Sequence, residues 1–145
     1  MNCTETTEAR AADADRAESI IRMPLGLLGL EQFKRFSLRA NPAEDPFLWL
    51  KVLDDPKMAF LVMSPFVVLP AYQPEIPDED AAFLDLKDPQ DTLILNIVTV
   101  CGAHQATLNL KGPIVLNRRT LVAKQVIPLN APEYSVAHPL PVQAS

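Results

Sequence analysis

The side chains best suited to metal binding or nucleophilic chemistry in this chain are its two cysteines and two histidines. Cys101 and His104 stand three residues apart, a spacing that a metal ion accepts, but a closed site would also need Cys3 and His138. Cys101 ends an apolar run, which is typical of a buried thiol, and no base or oxyanion site can be placed beside it. The pattern therefore predicts no metal, no cofactor and no catalytic residue. Cys3 lies in a polar tail, so no disulfide is expected, which agrees with a reducing cytoplasm.

The charged residues indicate solvated surfaces rather than reactive ones. Residues 74–91 carry seven acids against one lysine, and nothing around these acids indicates a pocket that would raise a carboxyl pKa. Such a face can steer a basic partner. The basic residues Lys111, Arg118, Arg119 and Lys124 have no interleaved aromatic side chains of the kind that stacking RNA-binding modules use. With a net charge of −5 and only four glycines, the chain is predicted to have no direct nucleic-acid partner and no phosphate-binding loop.

The composition indicates one folded domain behind a tail. Residues 1–19 contain five acids, two bases and almost no apolar side chains, so they are predicted to form a disordered acidic tail. Residues 20–145 are predicted to form a single β domain, and the 48% hydrophobic content of the chain supports a true core. No apolar run approaches the roughly 20 residues that cross a membrane, and no secretory signal is recognised, so a cytoplasmic location is expected.

Strand-length apolar runs cut by proline-rich turns predict an all-β, mainly antiparallel, small barrel-like roll with one or two short helices. Phe47–Leu53 and Met58–Met63 form a predicted hairpin. The other predicted strands are Phe36–Ala40, Thr92–Val100, Thr107–Leu110, Ile114–Leu116 and Leu121–Leu129. The run Phe66–Leu69 is predicted either to extend the hairpin or to begin another strand. Asp78 is predicted to cap a short helix that runs to Asp85.

The stretch Ala106–Asn117 has the most distinctive pattern. Two apolar runs, each carrying an asparagine, are joined by Lys111-Gly112-Pro113, and Gln125-Val126-Ile127 follows. This resembles the signature of the flagellar assembly factor FliW family. Further landmarks resemble that family in the same order: Gly26–Glu31, where Leu28 and Leu30 replace a proline and a phenylalanine; Asp45–Leu50; Ala59–Tyr72; and Val98–Val100.

The resemblance implies a FliW-like β domain over residues 20–145 and a protein that is not an enzyme. Members of this family act in bacterial flagellum biogenesis and bind flagellin in the cytoplasm. They also bind the translational regulator CsrA, away from its RNA groove, and relieve its repression of flagellin mRNA translation. Export of flagellin releases the factor, which then captures CsrA. The two partners thus exchange on one chaperone-like adaptor. The adaptor is expected to be a monomer when free.

The signature segment is also the predicted partner-binding site. Pro113 has no amide to donate to a strand ladder, and Gly112 lets a partner backbone approach closely, so a break in the ladder is expected there. The predicted partner-binding residues are Asn109, Leu110, Lys111, Gly112, Pro113, Ile114, Asn117 and Gln125. Replacing Gly112 with glutamate is expected to weaken binding and leave the thermal midpoint nearly unchanged. The alternative is structural: Asn109 and Asn117 cap turns through their own backbone.

Two other functions are open to a chain of this kind. A small β-barrel with an apolar interior can carry a small ligand, which would need an internal cavity with a few polar groups. A hydrolase would need a nucleophile and its base, and no such set can be placed.

Overall fold

A computed structural model describes residues 18–40, 42–55, 57–100 and 105–140. The strands are β1 (Glu18–Arg22), β2 (Arg35–Ala40), β3 (Leu48–Val52), β4 (Ala59–Met63), β5 (Thr92–Val100), β6 (Ala106–Leu108), β7 (Ile114–Asn117), β8 (Val122–Gln125) and β9 (His138–Pro139). Helix α1 spans Asp78–Phe83, and 3-10 turns span Pro42–Glu44, Pro65–Val67, Pro89–Asp91 and Ala131–Glu133.

Seven of the strands close into a ring. Their hydrogen-bonded order is β4-β3-β2-β1-β8-β7-β5, and the pairing of β4 with β5 completes the circle. β6 and β9 extend the sheet beyond β5. The pairings are antiparallel except that of β1 with β8, where Arg22 is the parallel partner of Val122. The predicted all-β, mainly antiparallel, barrel-like fold is confirmed.

The inside of the ring is filled with side chains. Along β3, Leu50 and Val52 are buried, whereas Trp49 and Lys51 are only half-buried, as the two-residue period of a strand requires. The interior cluster consists of Ile21, Met23, Leu27, Phe36, Leu50, Val52, Phe60, Val62, Leu95, Ile114, Leu116 and Ala123. A ligand-carrying barrel would need a cavity in this space, so the packing gives that alternative function no support.

Two smaller clusters cover the outside of the ring. One places Tyr72 and Leu140 over the outer faces of β4, β5 and β6, and its buried members are Met63, Tyr72, Val98, Leu108, Leu110 and Leu140. The other packs Leu84, next to helix α1, against Val115 and Val126. These clusters tie the long connections between strands to the barrel wall, because each connection buries apolar side chains there.

Helix α1 is attached to the wall by charge as well as by apolar contact. Asp80 is 5% exposed and pairs with the Lys124 ammonium on β8. The same ammonium lies 5.6 Å from the centre of the Phe83 ring. Breaking a buried pair by removing one partner leaves an uncompensated charge, so this contact fixes the helix on the barrel.

Several predicted elements are confirmed. The predicted hairpin is the β3–β4 pair, in which Leu48 is opposite Val62 and Lys51 is opposite Ala59. The apolar run Thr92–Val100 is β5 with the same bounds. Strand β2 covers the predicted Phe36–Ala40 run and begins one residue earlier, at Arg35.

Other expectations were wrong in detail. Phe66–Leu69 does not form a strand, because Pro65 begins a 3-10 turn there and the Ser64 hydroxyl accepts the Phe66 amide over 3.4 Å. Strand β8 is limited to Val122–Gln125 rather than Leu121–Leu129, since Leu121 has a φ of 60° in the preceding turn.

The helix is also shorter than expected and begins differently. It ends at Phe83, and Asp85, with a φ of 56°, follows it in the left-handed conformation. The N-cap residue is Pro77 rather than Asp78, and no side chain caps this end. The Pro77 carbonyl accepts the amides of Asp80 and Ala81, so the backbone alone begins the helix.

Some expectations fall outside the described residues. Strand β1 begins at Glu18, within the range predicted as tail, and the rest of that tail lies beyond the described part of the chain. Cys3, Cys101 and His104 also lie outside it. Among the described residues, no group of three or more histidines, cysteines and acids is arranged to hold a metal ion. None of the helices described is long and apolar enough to span a membrane.

Candidate functional site

The signature segment interrupts one strand line. β6 and β7 both pair with β5, with Leu108 opposite Val98 and Ile114 opposite Leu95. Between these pairs, the five residues 109–113 stand opposite only the two residues 96–97, so three residues are in excess. The excess forms a loop at the barrel wall, here called the signature loop (Asn109–Pro113). The predicted break in the ladder at Gly112 and Pro113 is therefore present.

Asn109 shapes the signature loop from within. Its Oδ1 atom accepts the backbone amides of Lys111 over 2.9 Å and of Gly112 over 3.2 Å. Its backbone remains joined to β5, because its amide donates to the Ile97 carbonyl and its carbonyl accepts Nδ2 of Asn96 over 2.7 Å. The Asn109 side chain thus closes the turn, and the Asn109 backbone anchors the start of the loop to β5. This is the structural alternative stated above for Asn109, a turn capped through its own backbone.

Gln125 joins the signature loop to a second turn. Its Nε2 atom donates to the Gly112 carbonyl over 3.0 Å, and its Oε1 atom accepts the Leu28 amide over 2.9 Å. Gly26 enables this second turn, since its φ is 69° and a Cβ there would lie 2.5 Å from Glu31 Cα. The side chain of one residue at the end of β8 therefore fixes two backbone segments.

The far side of the loop is held by Tyr72, which precedes helix α1, and by the chain that follows β8. The buried Tyr72 hydroxyl donates to the Leu110 carbonyl over 2.7 Å, and the Leu110 amide donates to the Ser135 carbonyl over 2.9 Å. Burial raises the pKa of Tyr72, which keeps the hydroxyl protonated and able to donate. The Lys111 ammonium reaches the Ala131 carbonyl over 3.2 Å.

A groove of about 610 Å³ runs beside the signature loop, and it is here called the loop groove. Its side chains are mainly apolar, and three of them are largely exposed: Leu28 at 56%, Ile127 at 53% and Val136 at 59%. Its lining residues are Leu28, Asn109, Lys111, Gly112, Gln125, Ile127, Pro128, Ala131, Pro132 and Val136. The groove is open to solvent and mainly apolar, with polar groups at its edge, so its chemistry suits an apolar segment of a protein partner.

The predicted site residues fall into two groups. Asn109, Lys111, Gly112 and Gln125 line the loop groove, and Asn109 and Lys111 are half-buried. Leu110, Pro113, Ile114 and Asn117 are buried and line no part of it. The buried residues shape the wall, and the largely exposed side chains of the groove, Leu28, Ile127 and Val136, are not among the predicted site residues.

Asn117 lies at the other end of β7 and repeats the turn of Asn109. Its Oδ1 atom accepts the amides of Arg119 over 2.8 Å and of Thr120 over 3.2 Å. Its Nδ2 atom donates to the carbonyls of Leu84 and Asp85 over 2.8 Å and 3.1 Å. Since Asn117 is fully buried and both its polar atoms are bonded, it is not available to a partner.

The basic residues do not form one free patch. Arg119 pairs with Asp85 over 3.1 Å and with Asp91 over 3.6 Å, and Asp85 raises the pKa of the Arg119 guanidinium. Lys124 is bound to Asp80, and Lys111 is bound to a backbone carbonyl. Because Arg119, Lys124 and Lys111 each bind a different part of the chain, the basic residues of this stretch do not present one continuous positive surface.

Comparisons with known proteins agree with this fold and signature. The model of the FliW protein family matches residues 4–140. The flagellar assembly factor FliW of Syntrophus aciditrophicus (strain SB) is 38% identical over 109 residues, which cover 74% of this chain and 69% of the relative. The FliW of Treponema denticola is 34% identical over 122 residues, covering 83% and 82%. A crystal structure of the flagellar assembly factor FliW superposes with a TM-score of 0.74 at 26% identity, covering 95% of this chain and 96% of that one.

Proposed function

Because the chain belongs to the FliW family, we propose that it is a non-enzymatic flagellar assembly factor that binds flagellin and a CsrA-type translational regulator. In this proposal it acts in the cytoplasm as a monomer when free. It relieves CsrA repression of flagellin mRNA translation by partner switching. Flagellin bound to the factor reduces the free factor available to CsrA, and export of flagellin restores it, by mass action alone.

The observation that carries the proposal is the exposed apolar surface of the loop groove. Three apolar side chains of the groove are more than half exposed to solvent, although the barrel has a packed core: Leu28, Ile127 and Val136. The polar groups beside them, on Asn109 and Gln125, are already bonded to the backbone and present a fixed frame. A fixed frame around an apolar floor lowers the ordering cost of binding a protein segment.

The test replaces exposed groove residues rather than the buried signature. Leu28→Asp and Val136→Asp put a charge on the floor of the groove at positions where no core packing is lost. Each is expected to weaken binding of purified flagellin or CsrA at least tenfold, measured by calorimetric titration, with little change in the thermal midpoint. A loss of about 1.4 kcal/mol corresponds to that factor.

Val67→Asp is the matched control. Val67 is 59% exposed on the 3-10 turn Pro65–Val67 and does not line the loop groove. The Val67→Asp variant is expected to bind both partners as the unmodified chain does. If Leu28→Asp and Val136→Asp also bind both partners normally, the loop groove is not the partner site. If the unmodified chain binds neither partner, the proposed function itself is wrong.

A further inference from the structure

A second groove, of about 330 Å³, lies on β3 and the turn before it. It is lined by Ala43, Glu44, Asp45, Phe47, Trp49 and Leu61, and it shares none of these with the loop groove. Here it is called the Trp49 pocket. Its volume is at the lower end of the range of about 300–1,000 Å³ that is common for ligand sites.

The polar and aromatic groups of the Trp49 pocket are held in place. The indole Nε1 atom of Trp49 donates to Glu44 Oε1 over 3.1 Å, so the ring and the carboxylate orient each other. The Phe47 amide donates to the Glu44 carbonyl over 2.9 Å, which closes the turn beneath them. Trp49 sits on the outward face of β3, opposite Leu61 of β4.

The two carboxylates of the pocket have no basic partner among the described residues. Neither Glu44 nor Asp45 forms an ion pair with a cation in the part of the chain that the structure describes. Arg39 is opposite Trp49 in the register of β2 and β3, but it does not line the pocket. By contrast, Asp80, Asp85 and Asp91 are each paired with a basic side chain.

We propose that the Trp49 pocket binds the guanidinium group of an arginine side chain on a partner protein. A flat cation stacks on an indole face, and its N–H groups match the free lone pairs of a neighbouring carboxylate. Arginine fits this combination better than lysine, because its charge is planar and weakly hydrated. The overall charge of −5 favours the approach of a basic segment. The site is separate from the loop groove, and the proposal does not depend on which partners bind there.

The chain offers a direct probe, because Trp49 is its only tryptophan. N-acetyl-arginine amide is titrated into the full chain at low ionic strength, and both the fluorescence and the single indole N–H resonance are followed. We expect a saturable change in both signals. N-acetyl-citrulline amide has nearly the same shape without the charge and is expected to cause no saturable change. N-acetyl-lysine amide and tetramethylammonium are expected to bind more weakly than the arginine compound.

Glu44→Gln tests the role of the carboxylate. It keeps an oxygen acceptor for the indole N–H, so the ring orientation is preserved while the charge is lost. Its apparent affinity for the arginine compound is expected to fall about two- to fivefold, the range for removing one partly exposed charge pair. Glu79→Gln on α1 removes the same charge from an exposed position elsewhere, and it is expected to bind as the unmodified chain does.

Three results would overturn the proposal. One is an equal response to the arginine and citrulline compounds. Another is a Glu44→Gln variant that binds with unchanged affinity. The third is tighter binding of tetramethylammonium than of the arginine compound, which would assign the pocket to a quaternary ammonium instead. None of these results bears on binding of flagellin or CsrA at the loop groove, so the two proposals fail separately.

Discussion

Gln125 Nε2 donates to the Gly112 carbonyl over 3.0 Å, and a Cβ atom on Gly112 would lie 3.0 Å from that same nitrogen. The Gln125 side chain, which ties the signature loop to β8, therefore occupies the space that a side chain on Gly112 would need. This changes the expectation for Gly112→Glu, because the longer side chain would displace the Gln125 amide from the Gly112 carbonyl.

The first prediction concerns Gly112. We expect Gly112→Glu to destabilise the fold by about 1–3 kcal/mol, the usual cost of overpacking a filled site. Gly112→Ala is expected to cost less, because its methyl group requires the Gln125 amide to move by only a few tenths of an ångström. Urea denaturation followed by circular dichroism measures both. The earlier expectation of an unchanged thermal midpoint for Gly112→Glu is thereby reversed. A glutamate variant as stable as the unmodified chain would show that the loop shifts without cost.

The second prediction concerns Gln125. Gln125→Ala leaves the Gly112 carbonyl and the Leu28 amide without their partner, so we expect a loss of about 1–3 kcal/mol. Gln125→Glu is expected to be at least as harmful, because a carboxylate cannot donate to the Gly112 carbonyl. Gln105→Ala is the control at an exposed glutamine, with a change within about 0.5 kcal/mol. Equal stability of the Gln125 and Gln105 variants would contradict this account.

The third prediction separates the two ends of the Asn117 side chain. Asn117→Asp keeps an oxygen that accepts the Arg119 and Thr120 amides but loses the donor to the Leu84 and Asp85 carbonyls. We expect it to be destabilised by about 1–3 kcal/mol, and Asn117→Ala to be destabilised more. Thermal unfolding of both variants checks the order. Partner binding by the folded fraction should remain normal, since Asn117 is remote from the loop groove; weakened binding there would restore it as a contact.

The fourth prediction concerns acid stability. The Arg35 guanidinium donates to Asp54 over 2.8 Å and holds the pKa of that carboxyl below its usual value. A carboxyl whose pKa is lowered by folding stabilises the folded state above the unfolded pKa, about 3.9, and this contribution is lost as the pH falls through the folded pKa. Asp54→Asn should therefore be less stable than the unmodified chain near neutral pH.

The difference between Asp54→Asn and the unmodified chain should shrink as the pH falls through the folded pKa of Asp54, and it should vanish where Asp54 is protonated in both states. Urea midpoints over a series from neutral to acid pH measure it. Both side chains are exposed, so a small effect that shrinks in high salt is expected. Glu79→Gln serves as the control for loss of an unpaired surface charge. A constant difference across the pH range would show that Asp54 acts through something other than its charge.

Elements set by nearby residues were accessible from the sequence. β5 has the bounds of its apolar run, and the β3–β4 hairpin follows from two such runs around a proline turn. The errors lie where turn chemistry interrupts an apolar stretch. Pro65 converts a valine-rich segment into a 3-10 turn, and Leu121 in the left-handed conformation shortens β8. Apolar content alone does not distinguish these cases.

The candidate site was accessible only in part, because distant segments build it. The Asn109–Asn117 signature identifies the loop, but the groove depends on Gln125 binding the Leu28 amide across 97 residues of sequence. Leucine is a core residue in most contexts, so nothing in the composition of Gly26–Leu30 predicts that Leu27 is 2% exposed and Leu28 is 56% exposed. That distinction arises when the turn is fixed against β8.

The parallel pairing of β1 with β8 sets an order on how the chain can fold during synthesis. The meander β1–β4 pairs neighbours in sequence and can assemble first, but it then has an unpaired strand at each end. β5 must emerge before β4 is covered, and β8 must emerge before β1 is covered. Long-range strand pairing is slow, and exposed edges promote aggregation. The nascent chain thus exposes aggregation-prone strand edges until β8 has left the ribosome.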